Sequence, residues 1–200
     1  MRNLSSAGLA LPLLLVLGTA ARTADKAPET PYFPLKVGDS WDYRMGDTKF
    51  TLKVAKFEEV DKQNCARVEM TVGGKLHSYD LLAVKADGVY RYVTDGNKAE
   101  PPVCFLKLPP KKDETWKVES SVAGMGKLTG TFKSGEVEEV KVGDKKYEKV
   151  VTVSSDDMMA GGQKISVTYY FAKDVGMVKQ TLSVNGQQAV IELEKFEPAK

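Results

Sequence analysis

The sequence predicts an all-β protein built on one large, curved antiparallel sheet: a half-barrel, a barrel or a sandwich. Three observations carry that expectation. Apolar and polar residues alternate at period two through most of the chain after residue 30, glycine-bearing turns recur at short intervals, and no segment there shows a helical apolar period. The 200 residues, 42% of them hydrophobic, are enough for one well-filled core.

Taken in order, Trp41 and Tyr43 fall on one face of a first strand, and Gly46 with Asp47 allows reversal. From Lys49 to Val60, Phe50, Leu52 and Val54 oppose Thr51, Lys53 and Ala55, the pattern of a strand with one buried face. A turn at Asp61 to Asn64 leads into Cys65 to Val72, and Gly73 with Gly74 offers the positive φ angles of a tight hairpin. Strands follow from Lys75 into Lys85 and from Val89 to Thr94, with turns at Asp87-Gly88 and Asp95-Gly96-Asn97. Pro101-Pro102 and Pro109-Pro110 interrupt regular pairing, since proline donates no ladder hydrogen bond. Strand character resumes from Thr115 to Val122 around Trp116. It continues from Leu128 to Val140 with a bend expected near Gly135, and from Lys145 to Ser155. The last three strands are the clearest: Lys164 to Phe171, Met177 to Val184 and Gln188 to Phe196, the final pair joined by Asn185-Gly186. The total is about 11 or 12 β segments, as large sheets and barrels require.

At the start of the chain, Arg2 precedes an apolar run of 11 residues from Ala7 to Leu17, followed by the small residues Gly18, Thr19, Ala20 and Ala21. This reads as a secretory signal peptide and leader within 1–24, a flexible segment at 25–31 and a single β-rich domain at 32–198. The run falls short of the roughly 20 residues that cross a bilayer as a helix, so no transmembrane anchoring is expected. The expected location is periplasmic or extracellular. Loss of 1–24 removes Arg2 and Arg22 from the 29 basic residues and leaves both signs at 27. A neutral chain with interspersed charges does not suggest a nucleic-acid partner.

One set of similarities reads either as an internal repeat or as chance resemblance in a β-rich, lysine-rich chain. Phe33, Pro34, Lys36 and Trp41 align with Leu108, Pro109, Lys111 and Trp116; Glu58-Glu59-Val60 answers to Glu138-Glu139-Val140; and Asp87-Gly88-Val89 answers to Val175-Gly176-Met177. Two divergent halves, 32–107 and 108–198, sharing one core would give this order. The opening Y-F-P-L-x-x-G-x-x-W-x-Y at Tyr32 to Tyr43 and the closing Y-F-A-K-D-V-G-M-V-K at Tyr170 to Lys179 resemble uncharacterised secreted proteins of bacterial envelopes. The many-stranded pattern also looks like the half-barrels of the periplasmic lipoprotein-carrier superfamily. That resemblance implies a concave apolar surface able to hold an acyl chain.

Catalytic chemistry finds little support. His77, the single histidine, sits beside Ser78 on a strand whose adjacent side chains point to opposite faces, a poor arrangement for proton transfer. The carboxylate neighbours Glu58-Glu59, Glu138-Glu139 and Asp156-Asp157 do not flank a common substrate within their own strands. The glycine pairs are too short for a phosphate or dinucleotide fingerprint, and no cofactor or metal ligand set is evident. Cys65 and Cys104 leave two readings open, a disulfide in an oxidising compartment or two buried thiols. Trp41, Tyr43 and Trp116 serve either as core or as the floor of an apolar groove. The function expected is binding of a lipid or other apolar or amphiphilic ligand. The alternatives are a structural or interaction module with an envelope protein as partner, and an enzyme with an unrecognised carboxylate site.

Overall fold

A computed structural model describes residues 29–200, so the expected leader at 1–24 and residues 25–28 of the expected flexible segment lie outside the described residues. The period-two patterning resolves into twelve strands. They are β1 (Ser40–Met45), β2 (Thr48–Val60), β3 (Gln63–Val72), β4 (Lys75–Lys85), β5 (Gly88–Thr94), β6 (Asn97–Lys107), β7 (Thr115–Val122), β8 (Gly126–Val142), β9 (Lys145–Ala160), β10 (Gln163–Ala172), β11 (Gly176–Val184) and β12 (Gln187–Glu197). Each pairs antiparallel with its sequence neighbours, and β1 also pairs with β12, so the sheet closes into a barrel. The half-barrel expectation is thereby corrected. Trp41 lies opposite Phe196 and Tyr43 opposite Leu193 at the closing seam, and Trp41 stacks on Phe196 with ring centroids 5.4 Å apart.

Alternation sorts the side chains. Trp41, Tyr43, Val54, Val68, Leu82, Val89, Phe105, Phe132, Val153 and Phe171 belong to one buried cluster inside the barrel. The outer surface carries ion pairs such as Lys49 with Glu194 at 2.9 Å and Arg67 with Glu69 at 2.7 Å. Exposed pairs of this kind add little stability, but they give the barrel an apolar inside and a charged outside, the reverse of a lipid-facing barrel. A smaller apolar cluster of Cys65, Leu81, Ala83, Tyr92 and Val93 is buried as well. Val60, near the tip of the β2–β3 hairpin, packs against it, and Asp61 at that tip reaches Lys98 on β6 at 3.2 Å.

One end of the barrel is closed by the segment preceding β1. Thr30 is buried, Pro31 accepts a 2.6 Å hydrogen bond from the Asp174 N–H, and Phe33 projects inward against Phe105 and Phe171. The flexible segment expected to run to residue 31 is therefore tied down at Thr30 and Pro31. Buried Asp39 ties the segment before β1 to the residues after β12, its carboxylate accepting from the Lys36 N–H at 2.8 Å and the Ala199 N–H at 2.7 Å.

Two stretches depart from the expected elements. Pro101 and Pro102 lie within β6 and do not end it. They fall beside a register irregularity against β5, and only Ala99 and Glu100 of β6 pair with β7. Proline is tolerated here because that part of the β6–β7 seam makes no ladder. The bend expected at Gly135 is instead a register shift between Thr129 and Lys133, at Gly130, opposite an extension of β9 through Met158 to Ala160. A Cβ at Gly130 would stand 2.9 Å from the Met158 Cα, whereas one at Gly135 would meet only the Thr152 hydroxyl, which can rotate away. The Gly130→Ala variant should accordingly lose about 1–3 kcal/mol in urea unfolding and Gly135→Ala clearly less. Equal losses would place the irregularity elsewhere.

The aligned halves fall on strands six apart. Trp41 is the second residue of β1 and Trp116 the second of β7; Val60 and Val140 lie on β2 and β8; Gly88 and Gly176 open β5 and β11.

Candidate functional site

A barrel of about eight strands is just filled by its inward side chains, and one of 16 leaves a channel, so twelve strands leave space to account for. The interior holds two apolar cavities. One, of about 220 Å³, is bounded by Trp41, Tyr43, Phe50, Leu52, Val68 and Met70, among others. The second, of about 200 Å³, is bounded by Val103, Val122, Leu128, Phe132, Met158 and Val167, among others. Arg91, Phe105 and Tyr169 border both and form the partition between them. Each cavity alone is smaller than the ~300–1,000 Å³ of usual small-molecule sites, but the two together fall within that range.

Antiparallel connectivity decides which end is accessible. Phe33 lies against the first cavity at the end sealed by the approach segment. The hairpins β1–β2, β3–β4, β7–β8, β9–β10 and β11–β12 all turn at the opposite end. Among the described residues, six of the seven exposed large apolar side chains lie on these hairpins: Met45, Val72, Leu76, Met125, Met159 and Val190. Met125 is both exposed and part of the second cavity's wall, so that cavity reaches the apolar rim.

The partition carries the interior's notable charge. Arg91 stands on β5 opposite Leu82, with its guanidinium centre 5.1 Å from the Phe105 ring. Its Nε lies 3.1 Å from Asp80 Oδ2 on β4 but is not aimed at that oxygen, and this buried N–H makes no hydrogen bond. Asp80 Oδ1 accepts the Asp95 N–H at 2.9 Å. Burial alone depresses the Arg91 pKa, but the Asp80 carboxylate and the Tyr169 hydroxyl outweigh it, and the net direction is upward. The guanidinium is therefore a permanent cation beside a carboxylate, set between two apolar lobes. The cue available in the sequence was weak: Asp80 and Arg91 interrupt the face that Leu82, Val84 and Val89 make apolar, as Ser78 and Thr94 also do.

The sequence-selected residues separate. Trp41 and Tyr43 line the first cavity. Both are also fixed by hydrogen bonds, from the Trp41 indole N–H to the Val175 carbonyl at 2.7 Å and from the Tyr43 hydroxyl to the Met177 carbonyl at 2.7 Å. Burial pushes the Tyr43 phenol well above its ordinary range, so it stays a neutral donor. Trp116 is not on the wall of either cavity. It packs on Phe132 and donates its indole N–H to the Cys104 carbonyl at 2.9 Å, bridging β7 to β6 beyond the two paired residues of that seam.

Cys65 and Cys104 are separate thiols, and the disulfide reading is corrected accordingly. Their neighbours Ala66 and Val103 are linked through the ladder positions Leu82 and Arg91, three strand spacings that amount to roughly 14 Å. A disulfide needs Cα atoms within about 7 Å. Burial pushes the Cys65 thiol up to about 11 and raises that of Cys104, so neither is an activated thiolate.

One member of each carboxylate pair is held by a structural contact. Glu58 is held below its usual range by Lys56 and Arg67. Glu139 pairs with Lys146 at 3.1 Å. Asp157 is held low by the Thr131 N–H at 2.8 Å and the Ser155 hydroxyl at 3.0 Å, which fills the irregularity of β8. His77 is exposed on β4. Among the described residues no three His, Cys, Asp or Glu side chains are grouped to hold a metal ion.

Two outcomes follow from these contacts. Trp116→Phe strands a carbonyl at the β6–β7 seam and should cost about 1–2 kcal/mol in denaturant unfolding; an unchanged midpoint would deny the indole its bridging role. Nonreducing peptide mapping of the folded protein should recover Cys65 and Cys104 as thiols, and a joined peptide would contradict the strand order between them.

No protein-family model matches the chain, and no curated protein matches it. Two crystal structures are similar to the barrel. One is provisionally described as an exported protein with a YmcC-like fold from Bacteroides fragilis, with a TM-score of 0.48 and 14% sequence identity. The other is provisionally described as a lipoprotein from Parabacteroides distasonis, with a TM-score of 0.46 and 10% identity. Each comparison covers 84% of this chain and 99% of the other.

Proposed function

We propose that this protein is an exported, nonenzymatic binder of an apolar or amphiphilic ligand, which it holds inside the barrel. The observation that carries the reading is the two-lobed apolar space, sealed at one end by Phe33 and reaching an apolar rim at the other. An apolar cavity of about 150 Å³ already stays dry and accepts a small apolar guest, so either lobe is large enough to favour one. Trp41 and Tyr43 contribute wall to the first lobe, and the reading assigns the interior no catalytic step. Export rests on the residues of the leader, from Arg2 to Ala21.

The same reading takes the chain as two divergent six-stranded halves that share one interior. Equivalent residues lie on strands six apart, and each half supplies most of one lobe's wall: 32–107 for the first lobe and 108–198 for the second.

Titration with N-phenyl-1-naphthylamine, an uncharged fluorophore that brightens in apolar surroundings, tests the proposal. Saturable enhancement is expected. Ser78→Phe, which puts a ring into the first lobe, should weaken it roughly tenfold, a change of about 1.4 kcal/mol. No enhancement, or enhancement indifferent to Ser78→Phe, would favour a structural or protein-interaction role.

A further inference from the structure

Arg91 and Asp80 present an unusual combination inside an apolar barrel. Arg91 borders both lobes and Asp80 the first, and they make an ionic contact in which the Arg91 Nε–H completes no hydrogen bond. Arg91 has five N–H groups, and the groups facing it are Asp80, Tyr169 and the ring of Phe105. Donor capacity therefore remains on the guanidinium. On Asp80, Oδ1 is taken by the Asp95 N–H, while Oδ2 keeps acceptor capacity. Buried polar groups are normally satisfied, and an unsatisfied one at a cavity wall marks a position where a guest atom gains a hydrogen bond without displacing an existing one.

The pair also constrains the charge of that guest. Cation and carboxylate already compensate each other, and the surrounding wall is apolar. A second anion would be placed beside Asp80 and a second cation beside Arg91, so either meets a like charge. An uncharged group able to accept from the guanidinium and donate to Oδ2 meets neither repulsion.

We propose that Arg91 and Asp80 form an internal polar site that selects amphiphiles with an uncharged head able to accept and donate hydrogen bonds, such as the hydroxyl of a long-chain alcohol or monoacylglycerol. The hydroxyl oxygen accepts from an Arg91 N–H, its proton is donated to Asp80 Oδ2, and the alkyl chain lies in an adjoining lobe. This inference rests on the ligand-binding reading of the interior and adds the class of ligand.

The test is displacement of N-phenyl-1-naphthylamine from the full chain at pH 8 by three ten-carbon competitors: decan-1-ol, decanoate and decylammonium. Decan-1-ol should displace the fluorophore at about tenfold lower concentration than either ion, the effect expected of a hydrogen bond to a charged partner. In Arg91→Met/Asp80→Asn, which removes both charges together so that neither is left without its partner, the fluorophore should still bind and decan-1-ol should need about tenfold more to displace it. Decanoate or decylammonium matching decan-1-ol in the unaltered protein overturns the inference whether or not the double variant folds. So does decan-1-ol displacing the fluorophore equally well from a folded double variant. Failure of the fluorophore itself to bind the unaltered protein instead rejects the reading of the interior on which the inference stands.

Discussion

Closure of an antiparallel sheet at twelve strands is the constraint from which the other features follow. Once β1 pairs with β12, every strand has one face turned toward a common interior and one toward the outside, and every strand has a hydrogen-bonded neighbour on each side. The circumference then sets the volume, and at twelve strands that volume exceeds what ordinary core side chains occupy. The protein fills part of the excess with aromatic rings. Phe33, Phe105, Tyr169 and Phe171 pack with centroids 5.5 to 6.4 Å apart near the sealed end. The remainder is left as two lobes.

Where the ladder weakens, side chains compensate. The β6–β7 seam has two paired residues and then prolines, and the Trp116 indole supplies a cross-strand hydrogen bond to the Cys104 carbonyl. At β8 a missing Cβ on Gly130 admits the Met158 backbone, and Asp157 takes up the Thr131 N–H that the irregularity frees. Asp39 performs a comparable task at the sealed end, where the segment before β1 meets the residues after β12. Each is a polar contact placed where regular pairing stops, as the need to satisfy buried backbone groups requires.

Local rules made most strands legible. The alternation of Phe50, Leu52 and Val54 fixes the inward face of β2. Asn185 and Gly186 both adopt positive φ at the β11–β12 turn, as their residue types suggested. What escaped was non-local. Nothing in the local pattern of Trp41 or Leu193 says that β1 and β12 meet, so an open half-barrel and a closed barrel read alike. Pro101 and Pro102 read as a break because a ladder gap on one side cannot be seen from the strand itself. Trp41 and Trp116 are each the second residue of strands six apart, yet of the two only Trp41 lines a lobe. Cys65 and Cys104 looked pairable until β4 and β5 came between them. Arg91 was hidden because an inward arginine is recognised only once the barrel has an inside.

The most direct test of a hollow interior uses that contrast between the tryptophans. In single-tryptophan proteins made by Trp116→Phe and Trp41→Phe, a bromine-bearing ten-carbon alcohol should quench Trp41 strongly and saturably and Trp116 much less, because only Trp41 borders a lobe. Equal quenching of both, or none of Trp41, would mean that the chain does not occupy the space enclosed by the barrel.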